Sequence, residues 1–325
     1  MLTSNLPKTF AESVNIAEEY ALLQLEESSC QQLLHYHNED HANAVKRRAR
    51  LIFEAIAPFL SLNEIALQRT QLLIDFCATA HDMVQIFSEH LPDTSRKRPH
   101  GVSEAETITQ LIAYIQELNQ QILQHNPSSE AVFTDSDIEI IREAIEATVC
   151  EYNVGDRSLY QPSLYQTDKS PNIVALVTAL ADLGALGIEG IDAYNQEGRL
   201  ISLEENPDAI SIIKIQPCMN IEVFDQLEQR REDIRQRLLK RANFQVDFAK
   251  GRLKRFEREV SRLPEGAIHQ LKTQVFKHLT SETIEAIELT TPTKDDTSLW
   301  ELAAFFGLGD QLSPIQFKLE QNEPW

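Results

Sequence analysis

The stretch QLLIDFCATAHDMV, residues 71–84, decides the fold prediction. Its apolar positions follow a helical pattern, and no proline or glycine interrupts them. It closes with His81 followed directly by Asp82, so two metal-ligating side chains stand at the end of a predicted helix of about residues 63–87. A locally opened helix end lets two adjacent residues face one cavity. We therefore expect this helix to deliver functional groups at its C-terminal end.

The rest of the composition also favours helices. The chain has 325 residues, of which 42% are hydrophobic, enough to bury a substantial core in one large domain or two ordinary ones. Only 10 glycines and 13 prolines interrupt a sequence rich in Leu, Ile, Ala, Glu and Gln, which are good helix formers. The composition predicts an all-α fold.

Helical periodicity and chain breakers divide the sequence. We predict an N-terminal helical segment (1–29), a core with a helical extension (30–262) and a C-terminal helical tail (263–325). The loop 88–102 precedes a helix expected to start at a Ser103–Glu106 capping box. Residues 151–171 form a long irregular stretch. The charged helix of about 221–262 is expected to be a solvated face or a partner surface. A short apolar helix near 298–309 is expected to dock on the main body or on another subunit.

Charge and cysteine usage restrict the partners. The net charge of −20 argues against duplex nucleic acid and against an anionic membrane surface. Four scattered cysteines form no CxxC pair, which is typical of reduced thiols. The N-terminus resembles neither a signal peptide nor a membrane anchor. We predict a cytoplasmic protein, and a homodimer is an open alternative.

Further candidate metal ligands also lie on predicted helices. His37 and His41 stand four residues apart in YHNEDHANAV, residues 36–45, which places both on one face of a predicted helix. Asp182 lies in TALADLGALG, residues 178–187, within the most apolar predicted helix. A carboxylate there is costly to bury unless a partner such as a cation compensates it. Two imidazoles and two carboxylates suit a divalent ion such as Mn, Fe, Zn or Mg.

The ordered set of His41, the doublet His81-Asp82 and Asp182 resembles the motif of the HD-domain metal-dependent phosphohydrolases. The resemblance covers about residues 30–190. It implies an HD-domain-like helical bundle with a C-terminal helical extension and a site for one or two ions. The four residues would be the metal ligands. Phosphoester hydrolysis by metal-activated water would follow, with Asp82 also orienting that water.

The segment YHNEDH, residues 36–41, is similar to the YHNxxH segment of class I cyclic nucleotide phosphodiesterases. That similarity implies His37 as the general acid for the leaving oxygen and His41 as a ligand. Cyclic nucleotides, other phosphodiesters and nucleoside monophosphates are the implied substrates. Those phosphodiesterases bind purine with a glutamine between aromatic side chains, and the sequence alone identifies no counterpart.

Other residues are candidates for supporting roles. His100, at the end of the loop 88–102, and Glu104, just after it, are candidates for a second metal or a bridging water. Arg98 in that loop, and Arg157 and Lys169 in the irregular stretch, are candidates for binding a substrate phosphate.

Two other functions stay open at the sequence level. A di-iron oxygenase of the same helical type would need additional histidine ligands, for which His100 is the available residue. A regulatory or scaffold protein that retains the metal site would use the charged helix and the segment around Trp300 for partners.

Overall fold

A computed structural model describes residues 6–91, 94–166, 171–215 and 221–308. The described chain is all-α apart from one small hairpin, which confirms the predicted fold class. No helix in these ranges combines the length and the apolar character that crossing a bilayer requires.

Six helices build the first half of the described chain. They are α1 (Phe10–Gln32), α2 (Glu39–Ile56), α3 (Glu64–Ala80), α4 (Val102–His125), α5 (Asp135–Glu146) and α6 (Ile173–Asp182). Between α5 and α6, strands β1 (Glu151–Asn153) and β2 (Ser158–Tyr160) pair antiparallel, and a 3₁₀ turn (Pro162–Tyr165) follows. The irregular stretch predicted for 151–171 thus contains a hairpin.

Seven helices complete the described chain. They are α7 (Ala185–Glu189), α8 (Ile191–Glu205), α9 (Ala209–Lys214), α10 (Ile221–Val260), α11 (Glu265–Gln270), α12 (Ser281–Thr290) and α13 (Leu299–Phe305). A π-helical turn (Leu271–Val275) extends α11. The long helix α10 packs against α8, α9, α12, α13 and β2, so the predicted apolar C-terminal helix docks on the main body.

The main core lies where α2, α3 and α6 pack against one another, with α1 and α5 outside them. Helix α6 is buried almost throughout because its sequence, IVALVTALAD, is apolar on every face. The C-terminal ends of α3 and α6 and the N-terminal end of α2 carry the four predicted ligands. Packing these three helices together therefore brings the ligands into one place.

Two helix starts differ from the sequence prediction. Helix α2 begins at Glu39, because the side chain of Asn38 caps it by accepting the backbone N–H of His41 at 3.2 Å. His37 therefore lies in the loop before the helix and does not share a helix face with His41. Helix α4 begins at Val102 after Gly101, which adopts a left-handed φ of 68°, so the predicted Ser103 capping box is wrong.

Candidate metal centre and cavity

Helix α3 ends immediately before His81 and Asp82, so these adjacent side chains are not both constrained by the helix. His81 is its C-cap residue, and its backbone N–H donates to Cys77 O at 3.0 Å. The ring Nδ1 of His81 lies 3.0 Å from Ala78 O, so it carries a proton and Nε2 is the ring atom that faces the site. Asp82 follows immediately outside the helix. Both side chains consequently face the same site.

The other two ligands come from the ends of α2 and α6. His41 stands in the first turn of α2, and Asp182 is the last residue of α6. One ligand atom from each of His41, His81, Asp82 and Asp182 lies within 4.8 Å of the others. The structure thus brings together all four predicted ligands, which were separated by up to 141 residues in sequence.

Each carboxylate turns one oxygen toward both imidazoles. Asp82 Oδ2 lies 3.1 Å from His81 Nε2 and 3.4 Å from His41 Nε2. Asp182 Oδ1 lies 3.5 Å from His81 Nε2 and 3.7 Å from His41 Nε2. These atoms surround a common point.

The electrostatics of the cluster are strongly perturbed. Burial by itself lowers the pKa of a histidine, but the nearby carboxylates of Asp82 and Asp182 outweigh it. They raise the pKa of His81 well above its usual value and that of His41 above its own. Burial likewise opposes ionisation of the aspartates, yet the histidines lower the pKa of Asp182 to about 2 and that of Asp82 well below its usual value.

The residues present fit a divalent ion. Among the described residues, no group makes a hydrogen bond of acceptable geometry to either ring nitrogen of His41 or to His81 Nε2, although all three atoms are buried. Buried polar atoms are normally paired, so these three atoms need an explanation. A cation coordinated by the facing Nε2 atoms accounts for two of them. Two nitrogens and two carboxylate oxygens form a ligand set that first-row divalent metals accept.

His37 lies beside this cluster, with Nε2 4.0 Å from Asp82 Oδ2. Its Nδ1 is hydrogen-bonded to Glu204 Oε1 of α8. The guanidinium of Arg98 approaches from the other side, with Nη1 2.6 Å from His37 Nε2. Because an arginine can only donate, Nε2 accepts in this arrangement and the ring proton lies on Nδ1.

Arg98 also contacts two carboxylates. Its Nη2 donates to Glu104 at 3.3 Å and lies 3.8 Å from Asp82 Oδ1. The predicted phosphate-binding arginine thus stands next to the candidate metal ligands, and Glu104 pairs with it directly.

A cavity of about 550 Å³ opens over the cluster, within the size range of small-molecule sites. His37, His81, Asp82 and Asp182 line one part of it. Helix α10 contributes a face with the spacing i, i+3, i+4 and i+7: Arg241, Phe244, Gln245 and Phe248. The prediction that this helix is only a solvated face or a partner surface is therefore incomplete, because one side of it forms the cavity wall.

The wall contributed by α10 is aromatic. Phe248 stacks between Phe244 and Tyr194 of α8, with ring centroids 5.9 and 6.3 Å apart. Gln245 is buried beside them, donates to Asn195 at 2.7 Å and leaves its Oε1 without a partner. The cavity therefore has a metal-ligand end and a wall suited to a flat aromatic group.

The remaining predicted site residues do not join the group of four candidate ligands. His100 lines the cavity, but its side chain is 58% exposed and its nearest partner is Glu151 at 3.9 Å. Arg157 pairs with Asp247 at 3.1 Å on the hairpin turn and does not line the cavity. Lys169 lies outside the described residues.

Sequence reasoning missed Glu204, Gln85 and the aromatic face of α10, and it considered Gln161 as a group that could clamp a base rather than as a partner of Asp182. The spacing of residues 241, 244, 245 and 248 was a visible signal for the aromatic face. Nothing in the sequence marks Glu204, whose hydrogen bond to His37 joins residues 167 positions apart.

No protein-family model matches the chain, and comparisons with curated proteins and with solved structures also give no match.

Proposed function

We propose that the protein is a metal-dependent phosphohydrolase that hydrolyses a phosphoester of a nucleotide. The observation that carries the proposal is the shared cavity. A buried group of two histidines and two aspartates stands beside His37 and Arg98, which are suited to proton transfer and phosphate binding. The nitrogen ligands favour Zn, Fe or Mn over Mg or Ca.

His41, His81, Asp82 and Asp182 would hold a divalent ion, which would supply Lewis acidity to a phosphoryl oxygen and to the attacking water. Asp82 accepts a hydrogen bond from that water and so orients it toward phosphorus. Arg98 binds the phosphate oxygens through its guanidinium, a geometry that arginine suits well.

His37 protonates the leaving oxygen in this proposal. Its Nε2 faces the cluster, but in the substrate-free structure it accepts from Arg98. A bound phosphate attracts Arg98 away from the ring and leaves Nε2 free to carry a proton. Glu204, hydrogen-bonded at Nδ1, stabilises the resulting imidazolium.

The aromatic wall supports a nucleotide over a simple phosphate ester. Phe244, Phe248 and Tyr194 line the cavity and offer aromatic surface to a heterocyclic base. The choice among cyclic nucleotides, other phosphodiesters and nucleoside monophosphates is left to the substrate panel.

The test uses the full chain, stripped of metal and reloaded separately with Mn²⁺, Fe²⁺, Zn²⁺ and Mg²⁺. The panel contains cyclic nucleotides, nucleoside monophosphates and bis(p-nitrophenyl) phosphate. We expect hydrolysis by the loaded wild type and its loss in Asp82→Ala. Asp247→Asn, which changes a carboxylate outside the cavity, serves as the control and should keep full activity.

Two results would overturn the proposal. One is a metal-loaded wild type that hydrolyses no member of the panel, which would favour the regulatory or scaffold alternative. The other is an Asp82→Ala variant with undiminished activity. Oxygen consumption by the iron-loaded protein would favour the oxygenase alternative.

A further inference from the structure

Each aspartate of the cluster has a buried glutamine on its second oxygen. Gln85 Nε2 donates to Asp82 Oδ1 at 3.1 Å, and Gln161 Nε2 donates to Asp182 Oδ2 at 3.1 Å. Both glutamines are almost fully buried, at 3% and 0% exposure. Ionised carboxylates only accept hydrogen bonds, so the amide nitrogen must be the atom that faces each aspartate.

The glutamines occupy the oxygens that point away from the imidazoles. Asp82 Oδ2 and Asp182 Oδ1 are the atoms that face His41 and His81, at 3.1–3.7 Å. Each carboxylate can therefore offer a single oxygen to a cation at the centre of the cluster. Asp82 and Asp182 thus have the same arrangement, with one oxygen facing the imidazoles and the other bound by a glutamine amide.

Hydrogen bonds fix the amide of Gln85 and the strand that precedes Gln161. The amide of Gln85 also donates to Asp82 O at 3.0 Å, which ties it to the turn after α3. Gln161 directly follows β2, and Arg255 of α10 fixes that strand by donating to Ser158 Oγ at 2.7 Å and to Leu159 O at 2.8 Å. Hydrogen bonds from firmly held neighbours fix the orientation of metal ligands.

We infer that Gln85 and Gln161 are positioning residues that hold both aspartates monodentate and build a site for one divalent ion. A carboxylate that bridges two cations commonly uses both of its oxygens. The second oxygen of Asp82 meets the amide of Gln85 and lies 3.8 Å from Arg98 Nη2. The amide hydrogens of Gln85 and the guanidinium of Arg98 are positively polarised or charged, so they repel a second cation near Asp82 Oδ1.

The charges in the site agree with one ion. Asp82 and Asp182 together carry two negative charges, which match one divalent cation. The nearby carboxylates of Glu104 and Glu204 already pair with Arg98 and His37. His100, a candidate ligand for a second ion, is mostly exposed and faces Glu151. The inference rests on the metal site of the proposed function and not on the hydrolysis.

The test measures metal binding directly. Gln85→Met and Gln161→Met keep the length of the side chain and remove the amide. Gln71→Met is the matched control, since Gln71 Nε2 donates in the same way to an aspartate outside the cluster, Asp75 Oδ1, at 2.9 Å. Chelator competition and calorimetry with Zn²⁺ and Mn²⁺ give affinity and stoichiometry, and thermal unfolding of the metal-free proteins monitors folding.

We expect one ion per wild-type chain at saturation. The affinity for the metal ion should fall about 10- to 100-fold in Gln85→Met and in Gln161→Met, the usual effect of removing a group that orients a metal ligand. The control should bind as the wild type does. Gln85→Ala and Gln161→Ala replace any methionine variant that fails to fold.

Two ions per chain at saturation would overturn the inference. Folded Gln85 and Gln161 variants that bind the metal ion with wild-type affinity would also overturn it. The same holds if these variants only lower the unfolding temperature. A wild type that binds one ion with this glutamine dependence, yet hydrolyses no phosphoester, would refute the proposed function and leave the inference standing.

Discussion

Glu204 holds His37 at two points. Its Oε1 is hydrogen-bonded to the ring at Nδ1, and its Oε2 accepts the backbone N–H of His37 at 3.2 Å. The same Oε2 also accepts the backbone N–H groups of His35 and Tyr36, at 3.1 and 3.0 Å. One buried carboxylate thus fixes both the loop before α2 and the direction of the ring, which can face the cavity only through Nε2.

The pairing of Glu204 with His37 predicts an effect of Glu204 on kcat. Glu204→Gln keeps the shape of the side chain but removes the charge that stabilises a protonated His37. General-acid catalysis contributes about 10²- to 10⁴-fold, so we expect a loss of roughly 10- to 100-fold in kcat for an ester with an alkoxide leaving group. The loss should be small for a p-nitrophenyl ester, which needs little protonation. Equal losses on both substrates would contradict the role of His37 as general acid.

The same carboxylate predicts a pH dependence of stability. Burial raises the pKa of Glu204. The electrostatic interaction with the His37 ring, the hydrogen bond to it and the backbone N–H groups outweigh burial and lower the pKa from 4.5 to about 2. A carboxyl group with a lowered folded-state pKa stabilises the protein above its unfolded pKa, and this contribution is lost as the pH falls toward the folded value. The free energy of unfolding of the metal-free wild type should therefore fall between about pH 4.5 and pH 2.

Urea unfolding at a series of pH values checks this prediction. Glu204→Gln cannot titrate at this position, so its stability should fall less steeply over the same window. Other carboxyl groups titrate equally in both proteins and cancel in the difference. Parallel curves for wild type and variant would contradict the prediction.

Metal binding should release protons. The carboxylates raise the pKa of His41 and His81 despite burial, so the metal-free cluster holds protons that an incoming ion must displace. We expect apparent affinity to rise with pH near neutrality. Calorimetry in buffers with different ionisation enthalpies measures the number released. Binding enthalpies that do not depend on the buffer would contradict the expectation.

The four candidate ligands were predictable because features of the local sequence mark them. A His-Asp doublet at the end of an apolar helix, and an aspartate inside an even more apolar one, are visible without knowledge of the tertiary contacts. Whether His37 shares a helix with His41 depended on a single capping interaction, that of Asn38, which the helical spacing alone did not reveal. The four candidate ligands lie together, as the prediction requires, and the predicted helix start was wrong.

The groups that orient the ligands were not predictable. Glu204 and Glu205 are adjacent on α8, and only the packing of that helix decides which of them turns toward His37. Gln161 reaches Asp182 because a short hairpin, fixed by Arg255, places it there. Such contacts depend on long-range packing, whereas sequence periodicity specifies only which face of an element is apolar.

Arg98 should determine phosphate affinity. Arg98→Gln removes the guanidinium next to the metal ligands, and hydrogen bonds to charged groups contribute about 1.5–3 kcal/mol. We expect KM for a nucleotide substrate to rise at least about tenfold, since 1.4 kcal/mol corresponds to tenfold. Arg157→Gln is the control, because this arginine pairs with Asp247 outside the cavity. A larger effect of the control than of Arg98→Gln would contradict the assignment.

The aromatic wall should recognise the base. Phe248 is the central ring of the stack with Phe244 and Tyr194. Aromatic pairs contribute about 0.5–1.5 kcal/mol beyond burial, so Phe248→Ala should raise KM for a nucleotide about 2- to 10-fold. Ribose 5-phosphate lacks the base, and inhibition by this compound should be unchanged.

Phe224 provides the matched control on the same helix. Its side chain is exposed and lies outside the cavity wall, so Phe224→Ala removes an equal aromatic group without touching the proposed base site. Steady-state kinetics of both variants, with the same nucleotide and the same metal, give the comparison. An unchanged KM in Phe248→Ala would contradict the assignment of this wall. An equal rise for the nucleotide and for inhibition by ribose 5-phosphate would contradict it as well, because the effect would then be on the phosphate end.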